Sequence, residues 1–336
     1  MIPLHRAPRL GYANGTPNPK VRVMGCAGIV LAVVHPDGID RRLSPLFTVP
    51  EFGERAGGGG KRSTGFGKRG SGGQSMNVQV EGIVLRGVDY GETHRIVTLL
   101  TPEIGKVGAM ARGAKRPQSR LRALVQPLVR GTFSLAYRGQ GMAIIRQGQW
   151  LEGYRAIQED LWKHAYAGYA AELVDRFVEE ATPNPGVYEF FRQWLEALAA
   201  GKDAEILTRL FELHVCEWAG VRPLLDRCAG CGAAVGYARM FDLSGGGPLC
   251  DRCLDLRRGI PIRPQTCAVM RALQSVPVNR LGDIRVGPDT RRELADLLGA
   301  YLEHHTGARL RGREYIRRLR EYAWPGPLDG AGGDLV

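Results

Sequence analysis

The sequence has no apolar run approaching the 18 or more residues of a membrane-spanning helix, so we expect a soluble, cytoplasmic protein without a membrane partner. It also lacks the GxSxG, HExxH and P-loop patterns, and no GxGxxG pattern opens a helix after a strand. Nothing in the sequence therefore supports an enzyme. Aromatic residues are scarce at 7%, but 44% hydrophobic and 24% charged residues are ordinary for a globular protein and exclude a wholly disordered chain.

Acidic residues are too few to balance the basic ones. The 336 residues include 46 Lys and Arg against 34 Asp and Glu, a net charge of +12. Residues 76–157 hold 12 basic and 5 acidic residues, whereas residues 158–336 hold 23 and 25. No acidic residue occurs in 105–131. This local excess favours an acidic partner such as nucleic acid, and the alternative is a solvated loop that has no partner.

The candidate DNA-binding residues are the basic side chains of this region. They are Arg95, Lys106, Arg112, Lys115, Arg116, Arg120, Arg122 and Arg130. Each one that neutralises a phosphate releases a counterion, so binding would be strong and dependent on salt. The aromatic residues here are Tyr90, Phe133, Tyr137 and Trp150, of which Phe133 and Trp150 could equally belong to a core. So few aromatics predict backbone tracking with little sequence readout.

Residues 1–75 have a different composition. They contain 15 of the 46 glycines, with 11 basic and 4 acidic residues, which predicts a disordered Gly/Arg-rich extension. One stretch, 27–34, is apolar enough for a short strand or helix. The extension is either a basic nucleic-acid tail, or the product of a start site placed upstream of Met76 or a dispensable addition, and we favour the second interpretation.

The hydrophobic pattern then predicts an α+β protein of several domains. Five short β-rich runs in residues 76–157 predict a small barrel. Helical periodicity in 158–226 and 259–325 predicts an α-helical domain, with residues 227–258 inserted in it and a flexible tail at 326–336. The β-rich runs are VQVEGIVL (78–85), THRIVTLLT (93–101), GKVGAMARG (105–113), LVRGTFSLAY (128–137) and MAIIRQGQW (142–150).

Four of the seven cysteines form two CxxC pairs, Cys228 with Cys231 and Cys250 with Cys253. Pairs at this separation predict one tetrahedral Zn2+ in a zinc ribbon. Four sulfur ligands would leave no position for water, so the site would be structural. Redox-active pairs or disulfides are the alternative, which a reducing cytosol disfavours. Cys216 and Cys267 lie in apolar helical contexts and are expected to be core thiols.

A second basic stretch, RLRGREYIRRLR (309–320), carries six arginines. It could bind DNA or an acidic peptide tail. It could also be a solvated helix face that balances acidic helices, and the sequence leaves the two interpretations open.

Two motifs resemble the RecO family of bacterial recombination mediators. GETHRIVTLLTPEIGKVGAMARGAKRPQSRLRALVQPL (91–128) resembles the family's N-terminal signature, and LLDRCAGCG (224–232) with PLCDRC (248–253) resembles the zinc module of those members that keep it. The resemblance covers residues 76–325 and implies an OB-fold for 76–157. Its basic positions match Arg112, Lys115, Arg116, Arg120 and Arg122.

The resemblance also implies a function. It implies binding of single- and double-stranded DNA, annealing of complementary strands and a complex with RecR that helps load RecA onto DNA coated by single-strand-binding protein. The helical domain would receive the acidic C-terminal tail of that protein, and the whole would work in the bacterial cytoplasm at the nucleoid. The competing hypotheses are a protein-binding adaptor with incidental DNA contact and a zinc-dependent nucleic-acid enzyme, which would need an open metal position.

Overall fold

The computed structural model describes residues 76–280, 285–307 and 309–323, and the backbone of three short strands nearer the N-terminus. The chain divides into two compact units, 1–71 and 72–336. In the first unit, β1 (Arg22–Met24), β2 (Ala32–His35) and β3 (Gly38–Ile39) form an antiparallel sheet in that order. The rest of the predicted extension and the predicted tail at 326–336 lie outside the described residues.

The second unit begins with a closed five-stranded barrel. Its order is β4-β5-β6-β8-β7, with β6 and β8 parallel and the other neighbours antiparallel. This is the barrel of an OB-fold, so the predicted fold class is confirmed. The strands are β4 (Met76–Tyr90), β5 (His94–Thr101), β6 (Gly105–Ala111), β7 (Arg130–Tyr137) and β8 (Ala143–Glu152).

Closure depends on the length of β4 and on two glycines. The first half of β4 pairs with β7 and its second half with β5, so one long strand joins both edges of the sheet. A short helix, α1 (Leu121–Leu124), precedes β7 and buries Leu124 against the barrel. A Cβ on Gly148 would lie 2.5 Å from Leu124 Cδ2, and one on Gly131 would lie 2.7 Å from Leu124 Cδ1. Both positions therefore need glycine to admit the leucine.

Helices form the rest of the unit around one apolar core. Asp160, Asn184 and Asp203 cap α3, α4 and α5 with their side-chain oxygens, as the sequence pattern of a helix start requires. The helices are α2 (Arg155–Gln158), α3 (Leu161–Phe177), α4 (Pro185–Ala199), α5 (Ala204–Trp218), α6 (Pro264–Ser275), α7 (Pro288–Thr306) and α8 (Arg311–Ala323). Within the described part of the chain, none of them is long and apolar enough to cross a bilayer.

The cysteine-containing segment between α5 and α6 folds as a small sheet. β9 (Met240–Asp242) lies between β10 (Gly247–Leu249) and β11 (Ile260–Pro261), both antiparallel to it. Phe241 of β9 is fully buried and meets Tyr301 of α7 edge to face, with ring centroids 5.8 Å apart. The insertion is thus part of the helical domain's core, not an appendage.

The packing of Leu124 on Gly131 and Gly148 leads to a prediction about stability. Gly148→Ala should lower the free energy of unfolding by about 1–3 kcal/mol, because the new methyl meets both Leu124 and the carbonyl oxygen of Thr132, 2.5 Å away. Urea denaturation measures the change. Gly108→Ala in β6 is the matched control, since a Cβ there meets no atom within 4 Å. Equal denaturation midpoints for the two variants would contradict this account of closure.

Candidate nucleic-acid interface and metal site

The basic segment, residues 112–122, is exposed but has a fixed backbone. It leaves β6 and folds back on the turn between β4 and β5, where Lys115 N donates to Thr93 O at 3.0 Å. Gly113 N donates to His94 Nδ1 at 3.1 Å. The segment therefore presents its side chains from a defined path along the barrel.

Most cations of the basic segment have no acidic neighbour. Lys115 Nζ lies 3.0 Å from Asp89 Oδ2. Among the described residues, no acidic side chain forms an ion pair with the segment's arginines. These exposed arginines are Arg112, Arg116, Arg120 and Arg122. Their charge is available to an anion at little cost, because no ion pair has to be broken first.

The arginines of α8 are arranged differently. Glu314 pairs with Arg317 at 2.8 Å and with Arg318 at 3.1 Å. Arg313 pairs with Glu303 at 3.1 Å, and Arg320 pairs with Glu205 at 2.5 Å. These contacts support the interpretation of residues 309–320 as a charge-balanced helix face.

Lys106 lies in a contact between domains and not on the predicted surface. The residue is 7% exposed, and its Nζ donates to the carbonyl oxygen of Asp175 in the last turn of α3. Helix ends leave such carbonyls unpaired, and a cation there is also favoured by the helix dipole. Arg86 Nε donates to Asp175 Oδ2 at 2.6 Å beside it. We therefore remove Lys106 from the candidate interface, since a phosphate could not reach it without separating the barrel from α3.

Arg130 also belongs to the contact between barrel and helices. Its Nη1 donates to Glu81 Oε1 at 3.0 Å, and the hydroxyl of Tyr188 donates to the same oxygen at 2.7 Å. Burial and the Glu81 carboxylate raise the pKa of Tyr188 far above its usual range, so its hydroxyl remains a donor. Arg130 is half-buried and its charge is already matched.

Arg95 holds the basic segment in place. Its guanidinium crosses Gly87 so closely that a Cβ there would lie 2.5 Å from Arg95 Nε. Arg95 Nη1 reaches Gln126 Oε1 at 3.4 Å, and Gln126 Nε2 donates to Arg122 O at 2.7 Å. Arg95 is thus a positioning residue behind the exposed arginines.

The four aromatic residues of the barrel divide into two pairs. Phe133 and Tyr137 are buried, whereas Tyr90 is 53% and Trp150 is 54% exposed. Sequence reasoning left Trp150 undecided between surface and core. The signal for the surface was the flanking polar run, because Arg146, Gln147 and Gln149 are also exposed on β8.

The four paired cysteines converge on one point. The sulfurs of Cys228, Cys231, Cys250 and Cys253 all lie within 4.8 Å of one another, and those of Cys231 and Cys250 are 3.6 Å apart. A tetrahedral ion with metal–sulfur bonds of about 2.3 Å places its sulfurs roughly 3.8 Å apart. The cluster fits such an ion.

Glycine and backbone N–H groups shape the cluster. A Cβ on Gly230 would lie 2.9 Å from Cys253 Sγ, so only glycine lets the two CxxC pairs approach. Cys228 Sγ accepts from Gly230 N and Cys250 N, each at 3.3 Å. Burial alone would raise the pKa of Cys228, but these N–H groups lower it to about 6. Cys228 therefore favours the thiolate, the form that binds metal, whereas burial and hydrogen bonds from the neighbouring cysteines raise the pKa of Cys253 to about 12.

The two remaining described cysteines are core thiols, as predicted. Cys216 is fully buried in α5, and Cys267 is buried in α6. Burial raises the pKa of Cys267 to about 11, and it raises that of Cys216 further.

Comparison with known proteins follows the same division into barrel and helices. Residues 76–154 match the family model described as recombination protein O N terminal, and residues 158–314 match that described as recombination protein O C terminal. The first match covers the barrel. The second covers α3 to α7, the first residues of α8 and the cysteine cluster.

Curated relatives match over most of their length. The DNA repair protein RecO of Bacillus subtilis (strain 168) is 39% identical over 245 residues, which are 73% of this chain and 95% of that protein. The protein of the same name from Bacillus pumilus is 38% identical over 245 residues, with the same coverage. That of Listeria monocytogenes serotype 4b is 35% identical over 243 residues, 72% of this chain and 94% of the relative.

The reassignment of Lys106 can be tested by comparing two substitutions. Lys106→Met should lower the free energy of unfolding by about 1–3 kcal/mol, since it leaves a buried carbonyl unpaired. Arg116→Met, on the exposed segment, should change it by less than about 0.5 kcal/mol. Chemical denaturation of the full chain measures both. A Lys106 variant as stable as the Arg116 variant would return Lys106 to the candidate surface.

Proposed function

The chain belongs to the recombination protein O family of DNA repair proteins, and from that premise we propose that it binds single- and double-stranded DNA and anneals complementary strands. The observation that carries the proposal is the row of exposed, unpaired arginines on the basic segment of an OB-fold barrel. OB-folds bind nucleic acid by combining a positive groove with stacking side chains.

Annealing follows from charge neutralisation. Two strands repel each other through their phosphates, and a protein cation placed between the backbones lowers this repulsion. Complementary bases can then meet and pair. No covalent bond is made or broken, so the proposed activity needs neither a nucleophile nor a catalytic cofactor. We accordingly assign a mediator and not an enzyme.

The proposed partners follow from family membership. We propose a complex with RecR, contact of the helical domain with the acidic C-terminal tail of single-strand-binding protein, and a resulting role in loading RecA onto coated DNA. With DNA as its substrate, the protein would work at the bacterial nucleoid. The cationic barrel would hold the strand, while the helical domain would be the side that meets other proteins.

We propose zinc as the ion of the cysteine cluster. Cys228, Cys231, Cys250 and Cys253 would hold it through four thiolates, the donor set that zinc accepts in structural sites. The ion would join the two CxxC pairs, one of which precedes β9 while the other follows β10. Its contribution would be to folding, because a closed sulfur shell leaves no position for a substrate.

The basic segment is tested by charge removal. The full chain with Arg112→Gln, Arg116→Gln and Arg120→Gln should bind single-stranded DNA more weakly. Loss of three phosphate contacts should reduce the slope of log affinity against log salt by about 2. Annealing of complementary oligonucleotides coated with single-strand-binding protein should slow in parallel. Fluorescence anisotropy and a quenched-fluorophore annealing assay give the two measurements.

A matched control removes the same charge elsewhere. The control variant carries Arg155→Gln, Arg317→Gln and Arg318→Gln. These arginines are exposed on helices and already pair with glutamates, so the affinity for DNA should be unchanged. Equal losses in the two triple variants would show that net charge alone is responsible. Unchanged binding in the first variant would remove the segment from the interface and favour the adaptor hypothesis.

The zinc assignment predicts a metal content of one per chain. Cys250→Ser should lose the ion and lower the melting temperature, because one ligand and the tie between the CxxC pairs disappear. Cys267→Ala, a buried cysteine outside the cluster, should keep the ion. Metal analysis of both purified proteins, followed by thermal denaturation, is the measurement. Full zinc content in the Cys250 variant would refute the four-sulfur site.

A further inference from the structure

β8 extends beyond the end of β6, its neighbour on one side of the barrel. Its pairing with β6 ends where Ala111 meets Ile145, and beyond that point β7 is its only partner among the described strands. Residues 146–151 are all exposed, although they remain in a strand. Leu124 of α1 packs on Gly148 in the middle of this part of β8, but the strand beyond that contact keeps a free edge, which can accept a ligand from outside the barrel.

Trp150 occupies this free part of β8 with its ring already in place. A Cβ on Gly153 would lie 2.9 Å from Trp150 Cζ2 and 3.4 Å from Nε1, so the indole lies on the backbone of Gly153. Glu152 Oε1 fixes that backbone by accepting from Gly153 N and Tyr154 N, each at 2.8 Å. More than half of the side chain is still exposed, which leaves ring surface open to solvent.

The ring adjoins the basic segment through α1. Trp150 lies opposite Gly131 in the β7–β8 ladder, and Leu124 packs on that glycine. Leu124 shares its short helix with Arg122, and Arg120 directly precedes the helix. Trp150 and the arginines of the basic segment therefore lie on elements that meet at the same end of the barrel.

We propose that Trp150 stacks on an unpaired base of a single DNA strand whose phosphates lie on the basic segment. This inference rests on the proposed DNA binding and adds a cause for strand preference. Every base has an aromatic face, so stacking accepts any sequence. In a duplex each base face is already stacked on the adjacent base, so it is not available to the Trp150 ring. Trp150 is thus a specificity-determining residue, while the arginines bind both forms.

The test separates bases from phosphates. The full chain is titrated with a single strand, with a strand of equal length in which abasic sites replace the bases, and with a duplex. The unaltered protein should bind the base-containing strand about tenfold more tightly than the abasic one, within the range for one stacked base. Trp150→Ala should remove most of that ratio and leave duplex binding and the salt slope unchanged.

Two further variants test whether an aromatic ring at position 150 is what determines the ratio. Trp150→Phe should keep most of the ratio, because it keeps an aromatic face. Tyr237→Ala, which removes an equally exposed aromatic from the cysteine module, should leave it unchanged. If the unaltered protein binds DNA but does not distinguish the two strands, or if Trp150→Ala keeps the ratio, the inference fails and the proposed function stands. If the unaltered protein binds none of the three DNAs, both fail.

Discussion

The end of α3 determines how the barrel sits on the helices. Asp175 supplies a carbonyl oxygen to Lys106 of β6 and a carboxylate to Arg86 of β4, so two strands are fastened to one helix terminus. Around these contacts Ile83 and Leu100 turn their side chains outward from the barrel into the helical core. A lysine at the carboxyl end of a helix satisfies an otherwise unpaired carbonyl and the helix dipole together. Together with the contact of Tyr188 with Glu81, this joint covers one side of the barrel and leaves the basic segment outside the contact with the helices.

The contact between barrel and helices also divides the basic residues of the barrel into two groups, those that are paired at the contact and those that are exposed away from it. Arg86, Lys106 and Arg130 meet acidic or carbonyl groups where the barrel contacts the helices, and their charge is matched there. The basic segment lies away from this contact, in a stretch of sequence that contains no acidic residue. α8 shows that an arginine-rich sequence need not give a positive surface, because its glutamates fall within one helical turn of its arginines. What distinguishes the basic segment is that, among the described residues, only its Lys115 pairs with an acidic side chain, Asp89, in keeping with the lack of acidic residues in 105–131.

Much of this could be predicted from the sequence, for physical reasons that differ between features. Alternating strands, capped helices and the two CxxC pairs are local patterns, and the structure forms the barrel, the helices and the sulfur cluster at those positions. The role of Lys106 could not be predicted from the residues near it in the sequence. Its role depends on Asp175, 69 residues later in the chain, and on which face of β6 the helix covers. The exposure of Trp150 depends in part on β6 ending before β8 does, which is a consequence of barrel closure, although the polar residues that flank it in β8 are a local signal.

One short turn connects exposed Trp150 to the contact between the barrel and the helices. Trp150 lies on Gly153, and the next residue, Tyr154, adopts a left-handed backbone conformation with φ of 49° and buries its ring in the helical core. Burial raises the pKa of Tyr154 to about 12, although the neighbouring Arg130 guanidinium acts in the opposite direction. The turn is therefore anchored on the helical side while its indole faces outward. A base stacked on Trp150 would therefore rest on a turn whose backbone is held from the helical side by the buried Tyr154.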